Sequence, residues 1–140
     1  MLYLDASLVV ALLVPEEHSE RADAWFASQA TGSLFVSGWT VTEVSSALSI
    51  KLRTEALTLD RRAAALSAWN ALREASLFTL AIADDHFEQA AQIANRHDLG
   101  LRGGDALHLA IAQEAGCRLA TFDKRMAAAA LQLGIQVEPL

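Results

Sequence analysis

The sequence predicts an α/β fold in which a mainly parallel central sheet carries helices on both faces. Two observations favour this class. Short apolar segments alternate with longer helical segments along the chain, and the short segments lack the alternation of apolar and polar residues that a half-exposed strand shows. Strands of a parallel sheet are buried on both faces, which requires such uninterrupted apolar runs. At 140 residues, the chain is predicted to form a single domain over residues 1–140.

The first part of the chain contains two predicted strands and three predicted helices. In order, they are the strand MLYLD (1–5), the helix LVVALLV, a helix over 19–29, the strand SLFVSG (33–38) and the helix VTEVSSALSIKLR. Ser7 can cap the first helix through its hydroxyl, and Pro15 ends that helix because proline breaks the hydrogen-bonding pattern. Thr40 begins the third helix.

The second part of the chain repeats the alternation. It contains the helix LDRRAAALSAWNALREA after Thr58, the apolar run LFTLAI (77–82), the helix DDHFEQAAQIANRHDL, the helix around DALHLAIA, the strand RLATF (118–122), the helix DKRMAAAALQL and a final strand, IQVEP. The last three helices are each followed by a glycine, at positions 100, 116 and 134. Glycine is the residue that most readily adopts the left-handed conformation closing a helix, so these positions predict helix ends.

Composition excludes several classes of protein. The net charge is −6, from 17 acidic and 11 basic residues, which argues against binding of nucleic acid through a broad basic face. Cys117 is the only cysteine, so there is no disulfide framework and no thiolate metal cluster, and we expect it to be a buried apolar residue. No apolar run reaches the roughly 18 residues that span a bilayer, and the N-terminus lacks the basic start of a signal peptide. We therefore expect a cytoplasmic protein without a membrane segment.

Four acidic residues fall at strand ends or helix starts. Asp5 ends the first strand, Glu43 lies in the first turn of the helix after the second strand, Asp105 begins its helix, and Asp123 follows the strand 118–122. In a parallel sheet these positions lie at one edge, outside the carboxyl ends of the strands, where ligands bind. The fold therefore predicts that the four side chains approach one another.

Helix capping is the alternative explanation for each acid. Thr40 and Glu43 match the spacing of a capping box, and Asp105 and Asp123 lie where the helix dipole favours an anion by roughly 0.3–1 kcal/mol. Asp5 fits capping less well, because Ser7 already offers a cap and Asp5 ends an apolar strand. Capping alone would make the chain a non-catalytic binding module.

Convergence of the four acids would instead require a cation. Carboxylates about 5 Å apart repel by roughly 3 kcal/mol per pair at an effective dielectric of 20, which more than cancels the benefit of capping. Oxygen ligands of this kind suit Mg²⁺ or Mn²⁺ and do not suit zinc. A carboxylate-bound Mg²⁺ favours hydrolysis of a nucleic-acid phosphodiester, and Gly103 and Gly104 would leave room for a substrate strand beside Asp105.

The residues that carry these acids resemble those of the PIN domain, particularly the VapC-type toxins of bacterial toxin–antitoxin pairs. The matching segments are LDAS, TVTEV, GGDALHLAIA and ATFDKRM, and the resemblance extends from LYLDAS to the closing LGIQVEPL. DALHLAIA followed by LATFDKRMAAAALQLGI is a specific pair, whereas LDAS alone is weak.

This resemblance implies a Mg²⁺-dependent endoribonuclease that acts as a toxin, forms a homodimer and is blocked by a small antitoxin. Asp5 and Asp105 would carry most of the metal binding, and Glu43 and Asp123 would complete the acidic pocket. Asp123 is the acid least expected to contact the metal directly. The hydroxyls that would orient carboxylates or water are those of Ser7 and Thr121.

Other residues admit functional and structural interpretations. Arg102, Lys124 and Arg125 flank the acids and could hold RNA phosphates, or be solvated charges at helix ends. His108 follows Asp105 by three residues, and we expect it to be a core or interface histidine bonded to backbone. The remaining histidines, His18, His86 and His97, are expected on polar helix surfaces.

Two further alternatives concern function and assembly. Asp5 could instead be the nucleophile of another Mg²⁺-dependent α/β phosphohydrolase, although such enzymes usually place a second acid two residues on, where this chain has Ser7. The helix LVVALLV and the helix after Thr40 carry more apolar surface than one face requires. We expect a second copy of the chain or an antitoxin to cover part of it.

Overall fold

The computed structural model describes residues 1–140 and confirms the predicted α/β class. The strands are β1 (Leu2–Leu4), β2 (Leu34–Ser37), β3 (Phe78–Leu80) and β4 (Arg118–Ala120). The helices are α1 (Ala6–Leu13), α2 (Ser19–Ala27), α3 (Gly38–Arg53), α4 (Leu59–Ser76), α5 (Asp84–Ala94), α6 (Gly103–Glu114) and α7 (Lys124–Gln132), with a 3₁₀ turn at His97–Leu99. All three strand pairings are parallel, in the order β3-β2-β1-β4.

Helices cover both faces of the sheet, as predicted. The side chains of β1 alternate between the two faces: Leu2 and Leu4 join a core cluster with residues of α1 to α4, whereas Tyr3 joins a second cluster with residues of α5 to α7. All three residues of β1 are buried, which accounts for the uninterrupted apolar pattern of this strand.

The strand order reverses beside β1. The chain runs from β1 through β2 to β3 on one side, and then places β4 on the other side of β1, with Leu4 paired to Ala120. In open α/β sheets, the crevice at such a reversal, outside the carboxyl ends of the strands, is the usual place for a ligand. The residues that follow Leu4 and Ala120 therefore occupy the most favourable position for a site.

One predicted strand is absent, and several predicted element boundaries are wrong by a few residues. IQVEP forms one isolated parallel bridge, between Leu119 and Val137, and no strand. The helix predicted to begin at Thr40 begins at Gly38. The helix after β3 stops at Ala94, so Gly100 follows the 3₁₀ turn and does not end the helix itself.

The expectations for two helix ends and for the cysteine are confirmed. Gly116 and Gly134 follow α6 and α7 with φ of +62° and +78°, the left-handed conformation expected at helix ends. Cys117 is buried and free. None of the helices combines the length and the apolar character needed to cross a bilayer.

The apolar residues of α1 are mostly covered within the chain. Residues 8–11 of this helix are buried in the cluster that includes Trp25 and Trp69, and Leu12 and Leu13 are half-buried against it. On α3, Ile50 remains 47% exposed. The chain's own helices thus account for most of the apolar surface that was expected to need a partner.

Candidate active site

Asp5 is buried at the carboxyl end of β1, with only 2% of its surface exposed. Its Oδ1 accepts hydrogen bonds from the Ser7 hydroxyl at 2.8 Å and from the Leu8 amide at 3.2 Å, and its Oδ2 accepts from the Thr121 hydroxyl at 2.8 Å. The expectation that Ser7 caps α1 is wrong, because Asp5 itself is the N-cap. Ser7 bonds to the carboxylate and so helps to fix its orientation.

The environment of Asp5 favours an added cation. Burial raises the pKa of Asp5 above its usual value, against the lowering effects of the nearby His108 charge and the hydrogen bonds. A carboxylate offers about four acceptor positions, and the protein fills three of them here, two on Oδ1 and one on Oδ2. A desolvated carboxylate with an acceptor position left on Oδ2 matches the donor chemistry of a hard divalent ion.

The loop after β4 is joined to Asp5 by hydroxyl groups. Thr121 Oγ1 accepts from the Asp123 amide at 2.9 Å while it donates to Asp5, and Ser7 Oγ accepts from the Phe122 amide at 3.0 Å. Both hydroxyls therefore hold the end of β4 against the end of β1. This agrees with the orienting role implied for them by the resemblance.

Asp123 lies on this loop and caps α7. Its Oδ1 accepts from the amides of Arg125 at 2.8 Å and Met126 at 2.9 Å. The capping interpretation of this acid is thus correct as far as the protein contacts go, and the helix dipole stabilises its negative charge.

Asp105 lies in the first turn of α6, after two glycines that differ in their surroundings. Its Oδ2 accepts from the Arg102 amide at 3.1 Å, a capping contact. A Cβ on Gly103 would meet nothing within 4 Å, whereas a Cβ on Gly104 would lie 2.9 Å from Glu43 Oε1 and 3.0 Å from Trp39 Cζ2. The expected free space beside Asp105 therefore exists at Gly103 only, and the protein itself fills the space at Gly104.

Glu43 does not cap α3, so the alternative explanation by helix capping is wrong for this acid. Ser37 is the N-cap and forms the capping box with Thr40. The Glu43 side chain instead reaches across to α6, where its Oε2 lies 2.5 Å from His108 Nε2. This contact fixes the side chain from a helix 65 residues away in sequence.

His108 is a core histidine, as expected, but its predicted bonding to backbone is wrong. Its ring is fully buried and bonds to side chains, not to backbone: Nε2 to Glu43 and Nδ1 to the Tyr3 hydroxyl at 2.8 Å. Burial, to which the charges of Asp5 and Glu43 add, raises the pKa of Tyr3 to about 12, so the phenol keeps its proton at neutral pH. The spacing of three residues from Asp105 was a signal for this placement, but nothing in the sequence identified Tyr3 or Glu43 as partners.

A second buried histidine lies away from these acids. His86 was expected on a polar surface, but it is only 6% exposed. Its Nδ1 accepts from the Ala83 amide at 2.9 Å, and its Nε2 lies 2.8 Å from Glu114 Oε2. The His86–Glu114 pair joins α5 to the end of α6, and neither residue is hydrogen-bonded to the four acids of the predicted site.

An open cleft of about 480 Å³ joins the starts of α6 and α7. It is lined by two of the acids and by all three of the basic residues expected to hold phosphates: Arg102, Asp105, Asp123, Lys124 and Arg125. Because the cations and carboxylates share one opening, a phosphate could contact the bases while its reacting atoms lie near the acids.

The four acids lie in one region without forming a ready-made metal cluster. Asp5 is linked through Thr121 to Asp123, Asp123 shares the cleft with Asp105, and Glu43 lies against Gly104 next to Asp105. No group of three or more His, Cys, Asp and Glu side chains is arranged to hold a metal ion. Glu43, Asp105 and Asp123 are each turned toward a protein donor, and convergence of the four carboxylates around one ion stays a prediction.

Comparison with known families decides the identity of the domain. The family model described as PIN domain matches residues 2–131. The chain belongs to the PIN domain family. The match includes all four acids and the loop between β4 and α7, so the resemblance drawn from the sequence motifs is confirmed.

Solved structures agree with the PIN fold. VapC20 of Mycobacterium tuberculosis, described as a sarcin-ricin loop cleaving toxin, is 22% identical with a TM-score of 0.74 over 92% of this chain and 95% of that one. FitAcB of Neisseria gonorrhoeae is 20% identical with a TM-score of 0.71, over 99% and 97% of the two chains. A toxin–antitoxin complex from Klebsiella pneumoniae is 20% identical with a TM-score of 0.63, over 91% of each. At these identities the likeness establishes the fold, and no protein of curated function matches the sequence significantly.

Proposed function

We propose that this PIN domain is a divalent-metal-dependent endoribonuclease and acts as the toxin of a toxin–antitoxin pair. The observation that carries the nuclease assignment is the buried Asp5 carboxylate, which is held by two hydroxyls at the reversal of strand order and keeps one acceptor position free. Burying an ionised carboxylate is costly unless a cation or hydrogen bonds compensate it. A bound cation would compensate the buried negative charge of Asp5.

The donor chemistry supports Mg²⁺ as the ion, with Mn²⁺ as its usual substitute, since the four acids offer only oxygen ligands. Asp5 and Asp105 would be its principal ligands, with Glu43 and Asp123 completing the acidic pocket. When bound, such an ion lowers the pKa of water and stabilises charge on a phosphodiester. Ser7 and Thr121 keep Asp5 in one orientation, which limits the reorganisation that binding requires.

The same cleft supports RNA as the substrate. Arg102, Lys124 and Arg125 stand around Asp105 and Asp123, so a phosphate has positive partners although the chain as a whole carries a charge of −6. Only a short stretch of backbone is engaged by three cations, which fits a transiently bound strand that is cut and released.

The role as a toxin and the antitoxin partner are proposed from the known structures, and the homodimer from the resemblance of the sequence motifs. VapC20 is described as a toxin, and the Klebsiella pneumoniae structure is a toxin–antitoxin complex. We propose that a small antitoxin covers the acidic cleft of this chain and that two copies associate. Light scattering of the purified protein tests the second statement, and a monomer at micromolar concentration with no co-purifying partner contradicts it.

The other hydrolase considered from the sequence receives no support from the geometry. Such enzymes usually place a second acid two residues after the nucleophile, and the residue there, Ser7, is a hydroxyl that donates to Asp5 itself. A non-catalytic module in which the acids only cap helices is consistent with the contacts of Asp123, but not with those of Glu43, which caps nothing.

Cleavage by site variants tests the proposal. Purified protein is incubated with a panel of labelled single-stranded and hairpin RNAs, with Mg²⁺ or with EDTA. We expect Mg²⁺-dependent internal cuts, reduced by about 10³-fold or more in Asp5→Asn and in Asp105→Asn, because metal stabilisation of the transition state is worth several kcal/mol. Full activity in EDTA or in either variant, or no cut in any RNA by the wild type, contradicts the proposal.

A further inference from the structure

We propose that His108 is a positioning residue that holds the Glu43 carboxylate in the acidic site through its Nε2–H donor. The inference rests on the proposed function, since it assigns a role to a residue behind a ligand of the proposed metal. It starts from a fully buried histidine whose two ring nitrogens both bond to side chains, one of them from the acidic pocket.

The hydrogen bond between His108 and Glu43 has one direction. An ionised carboxylate only accepts, so His108 Nε2 carries a proton and donates it to Glu43 Oε2 at 2.5 Å. The other ring nitrogen, Nδ1, is hydrogen-bonded to the Tyr3 hydroxyl at 2.8 Å. The same phenol is hydrogen-bonded to the Ser37 hydroxyl at 2.8 Å. Hydrogen bonds at both ring nitrogens therefore hold the His108 ring in the orientation that points Nε2 at Glu43.

The elements that contribute to these hydrogen bonds are those that position Glu43. Ser37 is the N-cap of α3, the helix that carries Glu43, and Tyr3 lies in β1, two residues before Asp5. His108 joins them to α6, one turn beyond Asp105. The chain of bonds therefore connects three of the segments that carry the acids.

Gly104 completes the restraint on Glu43. While Oε2 bonds to His108, Oε1 lies where any side chain at position 104 would collide with it, since a Cβ there would approach within 2.9 Å. The same Cβ would lie 3.0 Å from the Trp39 ring. The carboxylate is thus held by a donor on one oxygen and lies against Gly104 at the other.

Two substitutions at position 108 distinguish loss of the hydrogen-bond donor to Glu43 from loss of packing. The amide nitrogen of His108→Gln reaches the place of Nε2 and can still donate to Glu43, whereas the shorter amide of His108→Asn reaches only the place of Nδ1. His86→Asn is the matched variant elsewhere, because it breaks the contact of another buried histidine with a glutamate, the exposed Glu114 at the opposite end of α6 from Asp105. All three are compared by circular dichroism and thermal unfolding before binding is measured.

The first readout is binding of Mn²⁺ alone, followed by electron paramagnetic resonance. We expect H108N to weaken Mn²⁺ binding by about 10–100-fold, as for other groups that orient metal ligands, while H108Q and H86N stay near the wild-type value. A second readout is cleavage of an RNA from the labelled panel, in which H108N lowers kcat and leaves KM unchanged. In a Glu43→Gln background H108N should have no further effect on Mn²⁺ binding, because the two residues act as one unit.

Several results would overturn the inference. One is a Mn²⁺ affinity of H108N equal to that of the wild type. Another is an equal loss of Mn²⁺ affinity in H108N, H108Q and H86N, which would indicate a general loss of packing. Should H108N fail to fold, Tyr3→Phe applies the same test through Nδ1, and unchanged Mn²⁺ affinity there also overturns it. A wild type that neither binds Mn²⁺ nor cuts RNA removes the proposed function first, and is thereby distinguished from failure at His108 alone.

Discussion

The Thr121 hydroxyl donates a hydrogen bond of 2.8 Å to Asp5 Oδ2 and so joins the ends of two adjacent strands, β1 and β4, that lie 116 residues apart in sequence. This bond spans the point where the strand order of the sheet reverses. It also links Asp5 to Asp123, whose amide donates to the same Thr121 oxygen. One threonine thus fixes the spacing between two of the four acids.

Removal of this hydroxyl should weaken metal binding more than it weakens the fold. Thr121→Val leaves Asp5 Oδ2 and the Asp123 amide without partners, at a cost of about 1–3 kcal/mol in unfolding free energy. We expect Mn²⁺ affinity to fall by about 10–100-fold, with recovery in Thr121→Ser. Isothermal titration with Mn²⁺ and urea unfolding give the two quantities. Thr79→Val, on the exposed edge strand β3, should change neither, and a T121V protein that binds like the wild type would show that the hydroxyl is dispensable.

The two glycines before Asp105 should respond oppositely to alanine. Gly103→Ala adds a methyl group into open space and should stabilise the protein by up to about 1 kcal/mol through reduced flexibility of the unfolded chain. Gly104→Ala forces Glu43 or Trp39 to move and should destabilise by about 1–3 kcal/mol, with loss of cleavage. Thermal unfolding and the RNA assay compare the pair. Equal behaviour of the two variants would mean that the contact of Gly104 with Glu43 is easily relieved.

The buried charge of Asp5 should make the metal-free protein less stable as pH rises. Because burial raises its folded-state pKa above the unfolded value of about 3.9, the folded state holds the proton more tightly, and stability contributed by the neutral form is lost as pH rises through the folded pKa. Asp5→Asn removes this dependence, so its unfolding free energy relative to the wild type should improve from pH 3 to pH 7 in EDTA. Urea unfolding at several pH values measures the difference. A relative stability of D5N that worsens with pH would show that ionised Asp5 stabilises the fold.

The basic residues of the cleft should hold RNA mainly by charge. Arg102→Ala, Lys124→Ala and Arg125→Ala are each expected to weaken binding of a single-stranded RNA to the non-cleaving D5N protein. Each should also reduce the slope of log affinity against log salt by about 0.7, the value for one phosphate contact. Fluorescence anisotropy over a salt series measures both. Arg96, exposed and paired with Asp98 outside this cleft, provides the comparison, and a loss in Arg96→Ala as large as in the cleft variants would argue against a defined track.

The sequence predicted the sheet, the edge at which the acids lie and the domain family, because these depend on local apolar patterns and on short motifs. It did not predict which donor each acid contacts. The sequence favoured Ser7 over Asp5 as the cap of α1, yet Asp5 is the N-cap. It offered Thr40 and Glu43 as a capping box for α3, yet Ser37 and Thr40 form it. Such contacts depend on the relative placement of distant segments, as with Glu43 and His108, so local spacing carries no information about them.

The strand that failed to form illustrates the same limit. IQVEP has the composition of a strand, yet only Val137 pairs with Leu119. Whether an apolar run forms a strand at the edge of a sheet depends on the partner backbone offered to it, and tertiary context overrides the local preference.

The central claim, that Asp5 and Asp105 bind one divalent ion, is tested most directly by isothermal titration of Mn²⁺ and Mg²⁺ into the metal-free wild type, D5N and D105N. Asp98→Asn, which alters an exposed acid paired with Arg96, serves as the comparison. The account predicts saturable binding to the wild type and to D98N, and its loss in D5N and D105N. Binding of equal affinity in all four proteins, or in none of them, would contradict it.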